Sequence, residues 1–364
     1  MVEWKKLGEI AEIGTGSNNR EDACDNGCYP FYVRSQEVLK IDSYLYDEEA
    51  ILIPGEGGIG DIFHYVNGKY GLHQRTYRVH PVTDEVKGRY IYYYLFAKFK
   101  SYINTKSYKS TAASIRKPML LDFPILIPSI KEQTRIVGIL DTFTASIDNL
   151  KEQIAQRRKQ YEFYRDQLLD LEGKEGVEMK TIKEVCKKIC SGGTPSTSKK
   201  DYYGGNIPWL RTQEVDWKDI WDTDIKITED AIANSSAKLI PKDCVIVAMY
   251  GATAAKVAIN KIPLSTNQAC CNLEINNNIS SYRYVYYWLC KEYQNLKGMG
   301  EGSQNNINGQ KIKDYSIPLP SLQEQQRIVS ILDTFEASIQ NLEAQLSQRE
   351  KQYEYYRNKL LTFE

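Results

Sequence analysis

The sequence predicts an α+β protein in which two pseudo-twofold-related α/β globular domains are separated by a long antiparallel two-helix coiled coil. Three observations carry this. The stretch from Pro128 to Glu172 recurs from Pro320 to Glu364, with roughly two-thirds of its positions identical. Both copies carry large residues at alternating spacings of four and three, the pattern of a heptad seam. A stretch of domain size precedes each copy, and a chain of 364 residues supports about two cores.

Composition agrees. With 42% hydrophobic and 26% charged residues the chain is ordinary globular material, and 47 basic against 47 acidic residues leave no net charge. The opening MVEWKKLGEI has no apolar run of signal-peptide length, and nothing approaches the roughly 18 apolar residues of a membrane span. A cytoplasmic location is expected. The pairs Cys24/Cys28 and Cys186/Cys190 lie in different halves, and Cys270 adjoins Cys271. Neither pattern is a zinc ligand set, so reduced structural or buried thiols are expected and no metal site.

In chain order, residues 1–128 form the first globular domain and 129–172 the first long helix. Residues 173–178 are a connector, 179–320 the second domain and 321–364 the second helix. The helix starts are encoded by Ser129 with Glu132 and by Ser321 with Glu324, capping boxes whose side chains satisfy backbone N–H groups of the first turn. The first seam runs Ile136, Leu140, Phe143, Ile147, Leu150, Ile154, Tyr161, Tyr164, Leu168 and Leu171. The second runs Ile328, Leu332, Phe335, Ile339, Leu342, Leu346, Tyr353, Tyr356, Leu360 and Phe363. Both lapse at an arginine, Arg157 and Arg349, which either fixes register or carries its charge out to solvent along its stem. A helix of about 40 residues is about 60 Å long, and an apolar stripe of that length needs a partner, for which the other copy is at hand. Antiparallel pairing would give each domain its own end of a dumbbell, with Gly173-Lys174-Glu175-Gly176 as the turn after the first helix.

The globular halves are diverged copies as well. Trp4 to Ile10 parallels Met179 to Val185, and Pro30 to Val38 parallels Pro208 to Val215. The runs Ala50–Pro54 and Val245–Ala248 read as strands, and the Tyr-rich runs Tyr90–Phe99 and Tyr282–Leu289 as helices.

The run I-L-I-P-S-I-K-E-Q-T-R-I-V-G-I-L-D from Ile125 to Asp141 recurs as I-P-L-P-S-L-Q-E-Q-Q-R-I-V-S-I-L-D from Ile317 to Asp333. Together with the W-x-x-L-G-E-I opening at Trp4, it resembles the specificity subunit of type I restriction-modification systems. The resemblance covers essentially the whole chain. It implies a non-catalytic DNA-binding subunit with two target recognition domains, each reading one half of an asymmetric bipartite target. The helices would set the spacer and carry two methyltransferase subunits, with restriction subunits joining through them. S-adenosylmethionine, ATP and magnesium would then belong to those partners and none to this chain. Half-sites read from one face of a duplex fall about 34 Å apart, one turn, so a helix of fixed length acts as a ruler.

Candidate DNA-reading residues follow from chemistry. From Val86 to Leu121 there is no acidic residue, while Lys87, Arg89, Lys98, Lys100, Lys106, Lys109, Arg116 and Lys117 are basic, with tyrosines interleaved. Such a segment contacts phosphates or is a solvated helix face; Lys106, Lys109, Arg116 and Lys117 are the stronger phosphate candidates. The corresponding stretch of the second half has amides instead: Ser303, Gln304, Asn305, Asn306, Gln310 and Lys311. Asn and Gln can pair with adenine in the major groove as Arg can with guanine, although a plain polar loop has the same composition. Arg34 with Gln36 matches Arg211 with Gln213. A pair shared by both halves suits phosphate or scaffold roles, since base contacts should differ between them. His73-Gln74-Arg75 aligns roughly with Thr266-Asn267-Gln268, which makes Gln74, Arg75, Asn267 and Gln268 candidates for reading.

Catalytic signatures are missing. Gly55-Glu56-Gly57-Gly58-Ile59-Gly60 fits G-x-G-x-x-G, but the following residues, with Asn67-Gly68 as a turn, read as a hairpin, and the second half has no equivalent. There is no N-P-P-Y or D-P-P-Y segment for a flipped base and no phosphate-binding G-x-x-x-x-G-K-[ST] loop. The alternatives are a specificity subunit of another bipartite-site restriction class, a coiled-coil scaffold without nucleic acid, and an enzyme built on the Cys-rich second half.

Overall fold

The computed structural model describes residues 2–106, 114–300 and 306–363, the Lys106 side chain excepted. Two compact units emerge: residues 1–152 with 343–364, and residues 153–342.

In the first unit the order is β1 (Glu3–Lys6), α1 (Leu7–Ile10), β2 (Ala11–Thr15), β3 (Tyr29–Tyr32), β4 (Val38–Ile41), β5 (Tyr46–Pro54), β6 (His64–Leu72), β7 (Thr76–Pro81), α2 (Gly88–Lys106), α3 (Lys117–Leu121) and β8 (Pro124–Ile127). The long α4 (Ile130–Leu168) follows. Six strands form one sheet in the order β2-β7-β5-β6-β3-β4, while β1 and β8 make a separate antiparallel pair. Strand β5 is apolar throughout its second half because both faces are covered. Ile51 and Ile53 face the cluster built with α2 and the start of α4, and Ala50 and Leu52 face Val66, Tyr70 and Leu72. Asn67 and Gly68, expected as a turn, lie inside β6 opposite Glu49 and Glu48; the ladder runs straight through them, and the hairpin turns at 55–63 instead.

The second unit repeats the plan with β9 (Glu178–Thr181), α5 (Ile182–Val185), β10 (Cys186–Ser191), β11 (Tyr203–Leu210), β12 (Asp219–Ile220), β13 (Lys226–Ile227), α6 (Glu229–Ala233), β14 (Leu239–Ile240), β15 (Val245–Ala248), β16 (Val257–Asn260), β17 (Leu264–Thr266) and β18 (Cys270–Ile275). After these come α7 (Tyr282–Lys291), α8 (Tyr293–Gly298), α9 (Gly309–Lys313), β19 (Ser316–Leu319) and α10 (Leu322–Leu360). Here the sheet is split into β10-β18-β15-β16-β12 and β13-β11-β17-β14, and β9 pairs with β19 as β1 does with β8. Strand β15 again serves two layers, Val245 and Val247 on one side and Ile246 and Ala248 on the other.

Both long helices are 39 residues. Their first turns are docked the same way by a fully buried glutamine of the repeated E-Q. Gln133 Nε2 donates to the Glu85 and Pro128 carbonyls at 2.9 and 2.8 Å, and its Oε1 accepts from Lys87 N–H at 2.9 Å. Gln325 donates to the Pro320 carbonyl at 2.9 Å and accepts from Ser280 Oγ and Ser281 N–H at 3.0 Å. Two turns on, the repeated aspartate takes an Arg and a Tyr from the Tyr-rich helix: Arg89 and Tyr93 on Asp141, Arg283 and Tyr287 on Asp333. Arg89, counted above with the basic segment, is thereby spent on the scaffold, its guanidinium also lying against the rings of Tyr65, Tyr92 and Tyr93. Lys100 is likewise paired, with Asp61 at 2.6 Å.

The helices pair antiparallel within each unit. In the first, Phe143 stacks on Tyr356 at 5.4 Å and Lys151 reaches Glu350 at 3.8 Å, while Ile136 and Leu140 share a core with Leu361. In the second, Tyr164 stacks on Phe335 at 5.4 Å, and Ile328 and Leu332 share a core with Leu169 and Leu171. Ile147 and Ile154 are buried; Leu150, Tyr161, Leu168, Ile339, Leu342, Leu346, Tyr353 and Leu360 are half-buried. Tyr164 and Tyr356 keep one ring face on their phenylalanine and are 42% and 41% exposed. The seam arginines lie over those same phenylalanines, Arg157 at 5.8 Å from the Phe335 ring and Arg349 at 5.7 Å from Phe143. All eight cysteines are free thiols; Cys244, Cys270, Cys271 and Cys290 are buried, and Cys28 is exposed.

Candidate nucleic-acid interface

At one edge of the first unit, four loops meet. They are the residues after β2, the β3–β4 connection, the glycine-rich β5–β6 loop and the tight β6–β7 turn. The β2 loop crosses the β6–β7 turn through the Asn18–His73 bridge, and Glu56 bridges Ser114 while Ile115 N–H donates to Gly55 O at 2.7 Å. Gly16 is required here, because a Cβ would sit 1.8 Å from the Leu72 carbonyl oxygen. A recess of ≈ 230 Å³ opens between Arg20, Arg34, Ser35, Glu56, Gly57 and His73.

Glu56 is the hub of this edge. Its Oε2 accepts from Arg75 Nη1 at 2.9 Å and from Arg34 Nη1 at 3.0 Å. The bond from Arg75, more than that from Arg34, holds the Glu56 carboxyl below the usual carboxylate range. His73 Nδ1 accepts from Arg75 N–H at 3.0 Å, so the other ring nitrogen carries the proton of the neutral form. Burial, helped by the charges of Arg34 and Arg75, lowers the His73 pKa and favours that neutral form. Gln74 is exposed and donates to Asn19 Oδ1 at 2.6 Å. Gln36, Arg116 and Lys117 are exposed, and Arg116 precedes α3.

The second unit builds the same frame with other side chains, and backbone bonds fix the correspondence. His73 N–H donates to Tyr32 O as Asn267 N–H does to Leu210 O; Gly55 N–H donates to Arg75 O as Met249 N–H does to Ala269 O. Gln74 therefore corresponds to Gln268, Arg75 to Ala269 and Glu56 to Tyr250. The alignment expected from sequence, Gln74 on Asn267, is one residue out, since no side-chain similarity marks the register of this turn. The matched glutamines each meet a polar side chain of the loop after β2 or β10, in opposite senses: Gln74 donates to Asn19 and Gln268 accepts from Thr194. Gly192 repeats Gly16, with Thr266 O at 2.1 Å from a built Cβ. The Gly55–Gly60 loop, thought to lack an equivalent, has one in Met249-Tyr250-Gly251, where Gly57 and Gly251 share a positive φ.

The remaining candidates scatter. Arg211 pairs with Glu214 and Asp224, and Gln213 beside it is exposed. Asn267 Oδ1 accepts from the Cys270 thiol, Asn306 Oδ1 accepts from Gly251 N–H at 3.4 Å, and Gln310 Nε2 donates to Asp314. Lys311 Nζ donates to the Met299 carbonyl at 2.8 Å. Lys109, Ser303, Gln304 and Asn305 lie outside the described residues, as does the Lys106 side chain. Sequence reasoning passed over Glu56 and Tyr250; the one available signal was the shared glycine that follows each.

The sequence profile described as "Type I restriction modification DNA specificity domain" matches residues 1–157 and 174–350. The chain belongs to that family. Among its relatives, a type I restriction enzyme specificity subunit of Escherichia coli is 36% identical over 247 residues, 65% of this chain and 60% of that one. The EcoDI specificity subunit, also of Escherichia coli, is 24% identical over 381 residues, covering 95% of this chain and 84% of its own. Among solved structures, the S subunit of a type I restriction-modification system from M. genitalium superposes with a TM-score of 0.69 at 17% identity, over 99% of this chain and 96% of that one. A chain from a structure of type I restriction-modification complex assembly gives a TM-score of 0.61 at 14% identity, over 99% and 97%. At those identities the likeness concerns the fold. Type I specificity subunits are the non-catalytic members of their systems, so this family member is not an enzyme. Among the described residues no helix is long and apolar enough to cross a membrane.

Proposed function

We propose that this chain is the DNA-reading subunit of a type I restriction-modification complex, each unit reading one half of an asymmetric bipartite target. One observation carries the reading: the same glycine and the same backbone bonds of the turn occur in both units, yet this shared frame carries Glu56 and Arg75 in one and Tyr250 and a buried Ala269 in the other. Conserved frame with exchanged rim residues is what two readers of different sequences require. The long helices, docked identically by Gln133 and Gln325, set the number of unread base pairs and offer two equivalent seats to methyltransferase subunits, through which restriction subunits join. S-adenosylmethionine, ATP and magnesium are held by those partners, and the complex works in the cytoplasm, where its DNA is.

The test is methylation mapping in the host with and without this chain. Loss of methylation at one bipartite, asymmetric motif, with other motifs untouched, is expected. An unchanged methylome together with no DNA binding by the chain and its methyltransferase would refute the proposal.

A further inference from the structure

We infer that Arg75 reads a guanine in the half-site of the first unit and that Glu56 is its positioning residue; the matching positions of the second unit, Ala269 and Tyr250, carry no such pair. The inference rests on the DNA-reading role proposed above.

Arg75 is held at three points. Its N–H donates to His73 Nδ1 at 3.0 Å, its carbonyl accepts from Gly55 N–H at 2.9 Å, and its Nη1 donates to Glu56 at 2.9 Å. The side chain is nevertheless 57% exposed. Among the described residues no hydrogen bond engages Nε or Nη2, which leaves the two parallel N–H donors on one edge of the fork for a ligand. That edge matches the O6 and N7 acceptors of guanine in the major groove. A fork pinned beforehand loses less rotamer entropy on binding than a free arginine.

A phosphate is the competing ligand, and two observations oppose it. The Glu56 carboxylate, already shared with Arg34 at 3.0 Å, would stand beside the phosphate and repel it. Phosphate contacts also belong to the frame common to both units, whereas Arg75 is replaced by Ala269 and Glu56 by Tyr250. A group that differs between otherwise matched positions is placed to distinguish sequences.

The experiment is selection from a randomised duplex library by the full-length chain complexed with its methyltransferase, followed by sequencing. Wild type should enrich a bipartite motif with guanine at one position of the first unit's half-site. Arg75→Ala should lose about 5- to 150-fold discrimination at that position and leave the other half-site intact. Arg75→Gln should move the preference from guanine to adenine. Glu56→Ala should weaken the same position alone, and Glu56→Gln, which keeps an acceptor oxygen, should restore it. If Arg75→Ala instead lowers affinity equally for all sequences and reduces the salt slope by about one, the arginine binds phosphate and the inference falls. A variant that loses both half-sites has lost its fold, and Arg75→Gln then decides, an unmoved guanine preference counting against. Failure of wild type to enrich any motif would refute the DNA-reading role itself, a separate outcome.

Discussion

Replacing Gln133 by leucine should unlock the first long helix from its domain while leaving the second in place. The side chain is fully buried and makes three bonds to backbone groups, at 2.8, 2.9 and 2.9 Å. Leucine fills a similar volume but strands the Lys87 N–H and the Glu85 and Pro128 carbonyls. A buried polar group left without a partner costs about 1–3 kcal/mol. Glu85 and Lys87 are exposed residues whose backbone water can partly reach, so the total should be about 2–4 kcal/mol rather than three full penalties. For a unit of this size each kcal/mol lowers the melting temperature by about 2–4 °C, which predicts a fall of about 5–15 °C. Amide hydrogen exchange read by mass spectrometry separates the units: protection should drop across residues 85–106 and 128–145 and stay unchanged across 280–300 and 320–335. Gln325→Leu should produce the mirror result. A change below about 0.5 kcal/mol, or loss of protection in both units, would refute the assignment of these glutamines as separate anchors.

Asp333→Asn removes the charge that Arg283 and Tyr287 share, and because Arg283 also meets Glu336 at 2.8 Å it should keep part of its pairing; a loss of about 1–3 kcal/mol in urea unfolding of the second unit is expected, and no loss would place the arginine's energy elsewhere. Arg157→Leu removes the guanidinium over Phe335 and completes the apolar stripe; mass by light scattering should reveal altered helix pairing or oligomeric state, and an unchanged mass would remove the arginine from any role in register. His64 and His73 both have pKa values lowered below 6.5 by burial, so the unfolded chain binds protons more readily than the folded one. Their contribution is present above the unfolded pKa and is lost as pH falls below about 6.5, so the urea midpoint of the first unit should drop between pH 7 and 5.5. A flat midpoint over that range would contradict it.

Much of the fold was legible because the repeat displayed its own rules. The heptad seams and the Tyr-rich helices express local periodicity, which survives in one dimension; of the expected capping boxes only the serine half forms, Ser129 and Ser321 accepting from the Glu132 and Glu324 N–H groups, while both glutamates turn to Arg135 and Arg327. What remained hidden was the purpose of the polar residues that dock the helices. The E-Q dipeptide reads as a polar surface pair until the chain returns Glu85–Lys87 or Ser280–Ser281 to the same place, nearly fifty residues away in sequence. Arg89 looked like one more cation in a basic run for the same reason: its partner, Asp141, is supplied only by the folded chain.

The candidate site was harder to see, and the reason is physical. A reading surface is held together by backbone bonds, which any residue can supply, so the frame constrains the sequence only where a side chain would collide, as at Gly16 and Gly192. The rim residues are then free to differ, and their difference is what a second recognition half demands. Similarity therefore points to frame and dissimilarity to reading, which is why pairing Gln74 with Asn267 by resemblance slipped by one position while the carbonyl partners of His73 and Asn267 place it without ambiguity. On that logic the glutamine pair Gln74 and Gln268, alike in both units and each tied to a polar side chain of the β2 or β10 loop, belongs with the frame. Exchanging both for alanine should loosen those loops and weaken binding to every sequence alike, whereas exchanging Arg75 should change which sequence is bound. If the glutamine variants instead altered base preference, the division between shared frame and variable rim would be wrong.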